Sequence, residues 1–333
     1  MGVKAYAARG PKQPLEPFEY EPGPLGPDEV EVKVSHCGIC HSDLAMIDND
    51  WGFSAYPLVP GHEVIGTVAA VGSDVDALEV GRRVGVGWSC NSCGRCEWCV
   101  KGLETFCAGN QGTIVHHHGG WAESVRAHWK FAVPIPDGLE SSVAGPLMCA
   151  GSTVFAPMIH YGVTPTMKTA VVGIGGLGHL AVQFLAAFGS EVTAISSTHS
   201  KDEEARRMGA SHFLATRGTD ELKAAAGSFD FILSTVSADV PWAEYVGALR
   251  PRGRLCLVGV PDHDLKIPSF PLLMERSVSG GACGSPSDTA AMLDFAARKG
   301  IRPVVETFPM AEVNKALDHL RAGKARYRVV LQA

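Results

Sequence analysis

Apolar residues recur along the chain with two different periods. Up to about residue 145, valines occupy every second position of short runs, as at Val30, Val32 and Val34, and turns rich in proline and glycine separate these runs. Helical periodicity is nearly absent in this part, which therefore predicts a β-rich, barrel-like domain. From about Thr169 onward, strand patterns alternate with helix patterns, which predicts parallel strands joined by right-handed crossover helices.

The α/β part of the chain predicts a definite order of elements. They are a strand over Thr169 to Val172, a helix to about Phe188, a strand over Glu191 to Ile195, a helix from about Lys201 to Met208, and strands over His212 to Leu214, Phe229 to Ser234 and Leu255 to Val258. After about Ser285 the pattern predicts two amphipathic helices, Asp288 to Arg298 and Ala311 to Arg321, and a last strand, Arg326 to Leu331. We expect this tail to return to the first domain, which gives domain limits of 1–146, 147–284 and 285–333.

The size and composition of the chain indicate a soluble protein of about two domains. Its 333 residues are 46% apolar and 19% charged, as in ordinary α/β proteins, and the net charge of −6 argues against nucleic acid or an anionic membrane as a partner. The apolar run from Thr169 to Gly189 is long enough for a membrane span, but glycines, His179 and Gln183 interrupt it, which favours a strand, a turn and a helix. The first residues show no charged leader before an apolar run, so we expect a cytoplasmic location.

Ten cysteines in a chain without an export signal indicate metal ligands before disulfides. Cys93, Cys96 and Cys99 recur at every third position, and Cys107 follows eight residues later, in a lobe at about 90–107. Four thiolates on such short spacings are typical of a closed tetrahedral zinc site, which is structural because no position is left for a substrate. A shifted register that uses Cys90 in place of Cys107 stays open at this point.

A second set of metal ligands is spread over three distant segments. Cys40 follows the strand of alternating valines, His62 lies twenty-two positions further on, and Cys149 lies far downstream. Together they would supply two sulfurs and one nitrogen, the ligand set of a catalytic zinc with one open position. The two thiolates would cancel the charge of the dication, which could still polarise a carbonyl oxygen.

The neighbours of Cys40 extend this prediction. Asp43 is a candidate to accept the second N–H of the metal-bound imidazole and so fix its tautomer; the alternative is a turn residue at the surface. Ser42 could pass a proton to or from the substrate oxygen, or could equally cap a helix. The pair Cys37-x-x-Cys40 could form a redox dithiol, which we rank lower because no helix pattern follows it.

A glycine-rich turn in the α/β part predicts a dinucleotide site. It joins a strand to the start of a helix, the context that this fingerprint requires, and its residues are Gly173, Gly175, Gly176, Leu177 and Gly178. The second strand ends in Ser196, Ser197 and Thr198, where an NAD site would carry a carboxylate. These small hydroxyls, with Lys201 close behind, favour the 2′-phosphate of NADP, although Asp202 and Glu203 weaken the electrostatic preference.

In these motifs the chain resembles the zinc-containing medium-chain alcohol dehydrogenases, specifically the cinnamyl-alcohol-dehydrogenase-like branch with its bacterial NADPH-dependent aldehyde reductases. The resemblance covers nearly the whole chain. It rests on the run Cys-Gly-Ile-Cys-His-Ser-Asp-Leu from Cys37, Pro60 to Gly66, the cysteine lobe, Pro146 to Gly151 with Thr153, the glycine turn, Ser196 and Ser197 with Lys201, and Ala325 to Arg328.

The resemblance implies a GroES-like catalytic domain and a Rossmann domain of doubly wound parallel sheet with a cleft between them, usually in a homodimer. It implies two zinc ions per chain, a catalytic one on Cys40, His62 and Cys149 and a structural one on Cys93, Cys96, Cys99 and Cys107. Further implied roles are the approach of Glu63 to the catalytic metal during ligand exchange, proton relay at Ser42, and contacts to NADP(H) from His41, Thr153, Ser196, Ser197, Lys201 and the motif that contains Arg326.

The chain departs from the family pattern in two places. Many relatives carry a histidine two residues after Asp43 as the outer end of the proton relay, whereas this chain has Ala45, so we expect protons to leave through Ser42, the cofactor ribose and water or His41. The segment Thr113 to Trp121 is also unusual. It holds His116, His117 and His118 beside two glycines, which favours a solvated loop over a metal site.

These observations predict an enzyme in which NADPH reduces an aromatic or medium-chain aldehyde, with primary alcohol oxidation as the reverse reaction. Trp51, Phe53 and Trp121 are candidate walls of an apolar pocket, with ordinary packing nearly as good an explanation. Two alternatives remain open: an NAD-preferring dehydrogenase of polyols or secondary alcohols, and a redox sensor that binds NADP and zinc without turnover.

Overall fold

The structure is a computed structural model that describes residues 2–261 and 263–333. The chain divides into two compact units. The first unit comprises the chain up to Ser152 together with Gly284–Arg298 and Arg302–Ala333, and the second comprises Thr153–Cys283 and Lys299–Ile301. The domain limits inferred from the sequence stay a prediction.

Strands account for most of the first unit and for the centre of the second. In chain order they are β1 Val3–Ala8, β2 Leu15–Tyr20, β3 Glu29–Ile39, β4 Val64–Val71, β5 Arg83–Val86, β6 Ser89–Asn91, β7 Gln111–Gly112, β8 Ser124–His128, β9 Val133–Pro134, β10 Lys168–Val172, β11 Glu191–Ser196, β12 His212–Ala215, β13 Phe229–Ser234, β14 Leu249–Leu257, β15 Ser277–Gly280, β16 Val305–Pro309 and β17 Arg328–Gln332.

The helices are shorter and lie between these strands. They are α1 His41–Asp48, α2 Glu97–Val100, α3 Ser141–Pro146, α4 Ser152–His160, α5 Gly178–Phe188, α6 Asp202–Arg207, α7 Glu221–Ala224, α8 Trp242–Ala248, α9 Pro286–Lys299 and α10 Val313–Arg321. A π-helical turn, Leu147–Gly151, joins α3 to α4, and 3-10 turns occur at Glu104–Phe106, Trp129–Phe131, His199–Lys201, Phe270–Met274 and Met310–Glu312.

The first unit is built on a mostly antiparallel sheet in the order β16-β17-β3-β4-β5-β9, with β8 also paired to β3. The alternating valines of β3 face its core, where Val30, Val32 and Val34 are buried. The last strand, β17, pairs with the end of β3, with Val329 opposite Ile39. The C-terminal strand therefore lies directly beside the point where Cys40 leaves the sheet.

A helix at the end of β3 contradicts the expectation that the first part has almost no helix. Cys40 caps α1, which runs over His41–Asp48 and ends at Asn49 in the left-handed conformation, with a φ of 59°. Its buried positions include Asp43 beside Leu44, Met46 and Ile47, and a carboxylate at a core position hides the apolar periodicity in the sequence.

The second unit contains a six-stranded parallel sheet in the order β12-β11-β10-β13-β14-β15. The chain therefore starts in the middle at β10, moves outward to one side, and returns to build the other side from β13. This is the strand order of a doubly wound dinucleotide-binding sheet, with its topological switch between β10 and β13. The elements expected from the sequence are present, but β14 begins at Leu249, earlier than the expected Leu255.

One helical stretch in the described part of the chain, residues 141–160, is long and apolar enough to cross a membrane by length and composition alone. Of its most apolar window, 72% is buried inside the protein, as in the core helix of a soluble protein. The other long apolar run, Thr169 to Gly189, folds as β10, a turn and α5, as the sequence predicted.

Candidate active site and cofactor loop

Asp43 organises the start of α1. Its Oδ2 accepts the backbone N–H of Cys40 at 2.9 Å, and its Oδ1 accepts the backbone N–H of Gly61 and faces Nδ1 of His62, both at 2.9 Å. The carboxylate is fully buried, and these contacts link the segments that carry Cys40 and His62. Asp43 therefore lies in the core, and the alternative of a surface turn residue is wrong.

The side chains of Cys40, His62, Glu63 and Cys149 converge so that their ligating atoms all lie within 4.8 Å of one another. Nε2 of His62 lies 3.3 Å from Sγ of Cys149, and the two sulfurs are 3.9 Å apart. Because Nδ1 faces Asp43, the lone pair of Nε2 is free to point at the sulfurs. Hydrogen bonding from Cys149 lowers the pKa of the Cys40 thiol well below its usual value, which favours the thiolate that a metal requires. Two sulfurs and one imidazole nitrogen fit a zinc ion.

Glu63 makes a buried ion pair with Arg328 on β17. Desolvation raises the pKa of Glu63 to about 7, against the opposing effect of the Arg328 charge. The second carboxylate oxygen, Oε2, is buried without a hydrogen-bond partner, and a Cβ at Gly38 would lie 1.8 Å from it. A side chain at Gly38 would therefore occupy the space of the Glu63 carboxylate.

Ser42 and His41 form the first turn of α1. Oγ of Ser42 lies 3.8 Å from Sγ of Cys40, close enough for the hydroxyl to meet a substrate oxygen bound beside that sulfur. His41 is exposed, and Ala45 follows one turn later with no side-chain proton to give. The helix does not use the Ser42 hydroxyl as its N-cap, since Cys40 holds that position.

We ranked the redox dithiol low because no helix pattern follows Cys40 in the sequence. That reason is wrong, since α1 begins directly after Cys40. The structure supplies a different one. Cys37 is fully buried, and burial raises the pKa of its thiol well above the usual value. Its Sγ packs so closely under Gly61 that a Cβ there would lie 2.9 Å from the sulfur. A buried, protonated thiol is a poor redox nucleophile.

The three aromatic residues expected to line an apolar pocket differ in how far they are buried. Trp121 is fully buried against Gly61 and lines a cavity together with Tyr6 and Phe18, so its expected role as a wall of the substrate pocket stays a prediction. Trp51 and Phe53 are partly exposed and stack with ring centroids 5.8 Å apart. Trp88, which the sequence analysis missed, stands between them and the metal ligands: its ring lies 5.1 Å from that of His62 and 5.9 Å from that of Trp51.

The cysteine lobe gathers Cys93, Cys96, Cys99 and Cys107. Sγ of Cys107 lies 3.5 Å from that of Cys93, and Sγ of Cys96 lies 3.6 Å from that of Cys99. Hydrogen bonds from the backbone N–H groups of Arg95 and Cys96 lower the pKa of the Cys93 thiol to about 6. Cys90 lies outside the group, with its thiol 3.6 Å from the carbonyl of Gln111. The four gathered thiols fit a closed structural zinc site.

The three histidines beside this lobe have separate structural roles. Only His116 is exposed; Nδ1 of His117 contacts the carbonyl of Thr113 at 3.2 Å, and the ring of His118 packs 4.1 Å from that of Tyr20. Over residues 2–261 and 263–333, they belong to neither of the groups able to hold a metal. The expectation of a solvated loop is right for His116 and wrong for the other two.

The glycine turn closes tightly between β10 and α5. Gly173 has a φ of 87°, and a Cβ there would lie 2.5 Å from Val236. A Cβ at Gly178, the first residue of α5, would lie 1.7 Å from the carbonyl oxygen of Gly173. Only glycine permits this approach, which leaves the backbone N–H groups at the start of α5 available to a phosphate.

Lys201, in the 3-10 turn that follows β11, reaches the glycine turn. Its Nζ donates to the carbonyl of Ile174 at 2.5 Å. Asp202 and Glu203 were expected to weaken the attraction of this region for a phosphate. Both carboxylates form ion pairs, Asp202 with Arg206 at 2.7 Å and Glu203 with Arg207. The hydroxyls of the β11 loop lie at its surface, with Oγ1 of Thr198 3.0 Å from Oγ of Ser200. A basic group beside the loop fits a bound phosphate.

Two other residues expected at the cofactor, Thr153 and Arg326, belong to different units of the chain. Thr153 lies in the first turn of α4 and is half-buried. Arg326 is exposed in the first unit, where its backbone N–H donates to Glu306 at 2.6 Å and its guanidinium lies 5.2 Å from the Tyr327 ring. Their roles toward a cofactor stay predictions.

Arg328 and Trp88 adjoin the ligand group through Glu63 and His62, and the sequence analysis assigned neither of them a role. A single charge beside Val329, Val330 and Leu331 was the available signal for Arg328, because an arginine inside an apolar strand needs a buried partner. For Trp88 the sequence held no signal beyond the residue type.

Comparisons with known proteins agree with this geometry. Residues 26–137 match the family described as alcohol dehydrogenase GroES-like domain, and residues 176–298 match the one described as zinc-binding dehydrogenase. The chain is 51% identical over 330 residues to aldehyde reductase AdhA of Synechocystis sp., an alignment that covers 99% of this chain and 98% of the relative.

Two solved structures have the same fold over the whole chain. A cinnamyl alcohol dehydrogenase from Sorghum bicolor has a TM-score of 0.95 at 38% identity, covering 100% of this chain and 98% of its own. A CAD from Helicobacter pylori, solved in complex with NADP(H), has a TM-score of 0.91 at 28% identity, with coverage of 100% and 98%. The expected combination of a GroES-like and a Rossmann domain is thereby confirmed. The chain belongs to the zinc-binding alcohol dehydrogenases, a family of oxidoreductases.

Proposed function

We propose that this protein is an NADP(H)-dependent, zinc-dependent alcohol dehydrogenase that works as an aldehyde reductase on aromatic or medium-chain aldehydes. The observation that carries the proposal is the buried group of Cys40, His62 and Cys149, whose imidazole is oriented by Asp43. A protein that only binds nucleotide has no need of two thiols and an oriented imidazole beside the hydroxyl of Ser42.

Bound at these groups, zinc would supply a Lewis acid for the carbonyl and NADPH would supply the hydride. The chain's own residues do the rest. Asp43 holds Nδ1 of His62 and so keeps Nε2 directed at the metal position. Ser42 Oγ donates the proton that completes the alcohol, and in the reverse direction it accepts the proton of the alcohol. Because the side chain of Ala45 has no proton to exchange, Ser42 would be recharged by His41 or by water, with the ribose hydroxyl of a bound NADP(H) as a further proton donor.

The preference for NADP rests on the β11 loop. Ser196, Ser197 and Thr198 present hydroxyls where an NAD site has a carboxylate, and Lys201 brings a positive charge to the glycine turn. We assign Lys201 and these hydroxyls to the 2′-phosphate, and Gly173 and Gly178 to the pyrophosphate. Thr153 is assigned to the nicotinamide and Arg326 to a further cofactor contact. The cysteine lobe holds a second, structural zinc.

We also propose that the protein is a homodimer in the cytoplasm. Support comes from the second unit, where the 3-10 turn Phe270–Met274 exposes Phe270 by 75% and Leu273 by 76%. The strand that follows, β15, forms the edge of the parallel sheet. Exposed apolar side chains beside an open strand edge suit pairing with the same edge of a second copy.

The test is the initial rate of cofactor oxidation with cinnamaldehyde and with hexanal, comparing NADPH with NADH. We expect rapid oxidation of NADPH and little of NADH. A preference for NADH would leave the chemistry but favour a dehydrogenase of polyols or secondary alcohols. If neither cofactor is consumed with any aldehyde, and no alcohol reduces NADP, the proposal fails and the sensor alternative replaces it.

A further inference from the structure

Cys149 lies in the middle of the π-helical turn Leu147–Gly151, which joins α3 to α4. The backbone N–H of Ser152, the first residue of α4, donates to the carbonyl oxygens of Leu147 and Cys149 and so closes the turn. π-helical turns are rare and are found frequently at functional sites. A backbone geometry that the chain seldom adopts by itself needs contacts from the rest of the fold to hold it in place.

One side of the turn is held by β5 and the residue that follows it. A Cβ at Gly85 would lie 2.6 Å from Sδ of Met148, and a Cβ at Gly87 would lie 2.7 Å from the carbonyl oxygen of Met148. Both distances are shorter than a side chain permits, so the two glycines pack directly against Met148. The residue before Cys149 is thereby held against the sheet.

The other side of the turn is held by α9. Ser152 is 1% exposed, and its Oγ shares a hydrogen bond of 2.9 Å with Oγ1 of Thr289, which is 5% exposed. The same Oγ accepts the backbone N–H of Gly284 at 3.0 Å. One turn further along α9, Met292 packs so closely that a Cβ at Gly151 would lie 3.1 Å from its Sδ. Ser152 is therefore joined to the turn by its backbone and to α9 by its side chain.

The first turn of α9 is fixed by its own cap. Oδ2 of Asp288 accepts the backbone N–H and the hydroxyl of Ser285, both at 3.0 Å, and Oγ of Ser285 accepts the backbone N–H of Asp288 at 3.3 Å. This reciprocal arrangement is a capping box, which stabilises the start of a helix. The backbone N–H of Thr289 donates to the carbonyl of Ser285 at 2.9 Å, so Thr289 holds Ser152 from a fixed position.

We propose that Ser152 is a positioning residue of the metal centre, which together with Thr289 fixes the turn that presents Cys149 to the metal. This inference rests on the proposed function for the role of Cys149 as a ligand, but not for the geometry of the hydroxyl pair. Sγ of Cys149 must stay near Nε2 of His62, at 3.3 Å, and near Sγ of Cys40, at 3.9 Å, to share one ion with them. Because a zinc–sulfur bond tolerates a displacement of only about 0.2 Å, a small movement of the turn weakens the site.

The experiment compares three substitutions in the full-length, zinc-loaded protein. Thr289→Val removes the hydroxyl and keeps the branched shape of the side chain, whereas Thr289→Ser keeps the hydroxyl. Thr169→Val is the matched control, because Thr169 is also fully buried and its hydroxyl donates to the carbonyl of Glu191 at 3.4 Å, at the start of β10. If Thr289→Val does not fold, Thr289→Ala replaces it with the same expected result.

The first readout is the rate at which a chelator removes the zinc whose loss stops the reduction of cinnamaldehyde. We expect Thr289→Val to raise this rate by about five- to tenfold and to lower kcat/KM by a similar factor, and Thr289→Ser to stay close to the native protein. Thr169→Val should lower the melting temperature as Thr289→Val does, yet release zinc at the native rate. Zinc release therefore separates positioning from general stability.

The second readout needs neither metal nor turnover. In protein treated with the chelator, the labelling of Cys149 by iodoacetamide is followed by peptide mass spectrometry, with Cys40 of the same molecule as the internal reference. We expect the ratio of Cys149 to Cys40 labelling to rise about fivefold in Thr289→Val, because a loosened turn exposes Cys149 and leaves Cys40 as it was. The ratio should stay at the native value in Thr169→Val.

The outcomes separate the two proposals. A raised labelling ratio in Thr289→Val, in a protein that reduces no aldehyde, would support the positioning role and overturn the proposed function. Native zinc release and a native labelling ratio in the folded Thr289 variant, in a protein that does reduce aldehydes, would overturn the positioning role and leave the proposed function standing. Equal changes in Thr169→Val would also overturn the positioning role, because the effect would then be one of general stability.

Discussion

The carboxylate of Asp43 and the imidazole of His62 are joined by a fully buried contact of 2.9 Å between Oδ1 and Nδ1. The same carboxylate accepts the backbone N–H of Cys40. In Asp43→Asn one of the two oxygens becomes an N–H donor, so one of these contacts is lost. We expect about a 10- to 100-fold loss of activity or zinc affinity, measured as kcat/KM and as the rate of zinc release to a chelator.

The control for this variant is Asp48→Asn on the same helix. Asp48, the last residue of α1, forms a bidentate ion pair with Arg321, at 2.5 and 2.7 Å. It should leave zinc release unchanged. If Asp43→Asn keeps its zinc and its kcat/KM as well as Asp48→Asn does, Asp43 does not orient the imidazole.

Ser42 is expected to carry the proton because its Oγ lies 3.8 Å from Sγ of Cys40 and does not cap α1. Ser42→Ala should lower kcat by about a hundredfold, while Ser42→Thr, which keeps the hydroxyl, should retain most of it. Steady-state rates in water and in deuterium oxide provide the measurement. A Ser42→Ala variant with the kcat and solvent isotope effect of the native protein would rule out this role.

Lys201 is expected to discriminate between the two cofactors, because its Nζ lies against the glycine turn at the carbonyl of Ile174. Lys201→Ala removes a charge that only the 2′-phosphate needs, so KM for NADPH should rise by about tenfold or more while KM for NADH stays nearly constant. Lys223→Ala, whose exposed amine pairs with Asp220 at 3.2 Å, is the control. Equal changes for NADPH and NADH would refute the assignment.

Leu273 tests the proposed dimer. A charge at this exposed apolar position, beside the edge strand β15, should convert the dimer to a monomer because it would be desolvated in the interface. Light scattering coupled to size exclusion gives the mass of Leu273→Glu. Val100→Glu, at a position of equal exposure (75%) on the cysteine lobe, should remain dimeric. A native protein that is already monomeric at micromolar concentration would contradict the proposal.

The sequence was most informative where chemistry depends on short spacing. The cysteine lobe and the glycine turn each lie within one segment, so their spacing alone predicts a tetrahedral site and a phosphate loop. The alternation of strands and helices after Thr169 likewise predicted the parallel sheet. Strands of such a sheet are buried on both faces, so they appear in the sequence as continuous apolar runs that differ clearly from loops.

What the sequence could not supply were contacts between distant segments. Glu63 and Arg328 are separated by 265 positions, and no periodicity indicates that β17 pairs with β3. The helix α1 escaped notice because Asp43, a functional carboxylate, occupies one of its core positions. Trp88 and Trp121 are the same residue type near the same histidine, and only the fold determines that one is buried under Gly61 while the other lies beside the ligands.

We expect Cys40, His62 and Cys149 to form a zinc-dependent reaction centre distinct from the cysteine lobe. The most direct measurement is zinc per chain by elemental analysis, combined with NADPH-dependent reduction of cinnamaldehyde, for the native protein, Cys40→Ala and Cys90→Ala. Cys90 is a buried thiol of the lobe outside its cluster and serves as the control. We expect about two zinc ions in the native protein and in Cys90→Ala, and about one, with turnover abolished, in Cys40→Ala. A Cys40→Ala variant that keeps both zinc ions, or that reduces cinnamaldehyde with only one zinc ion bound, would contradict this expectation.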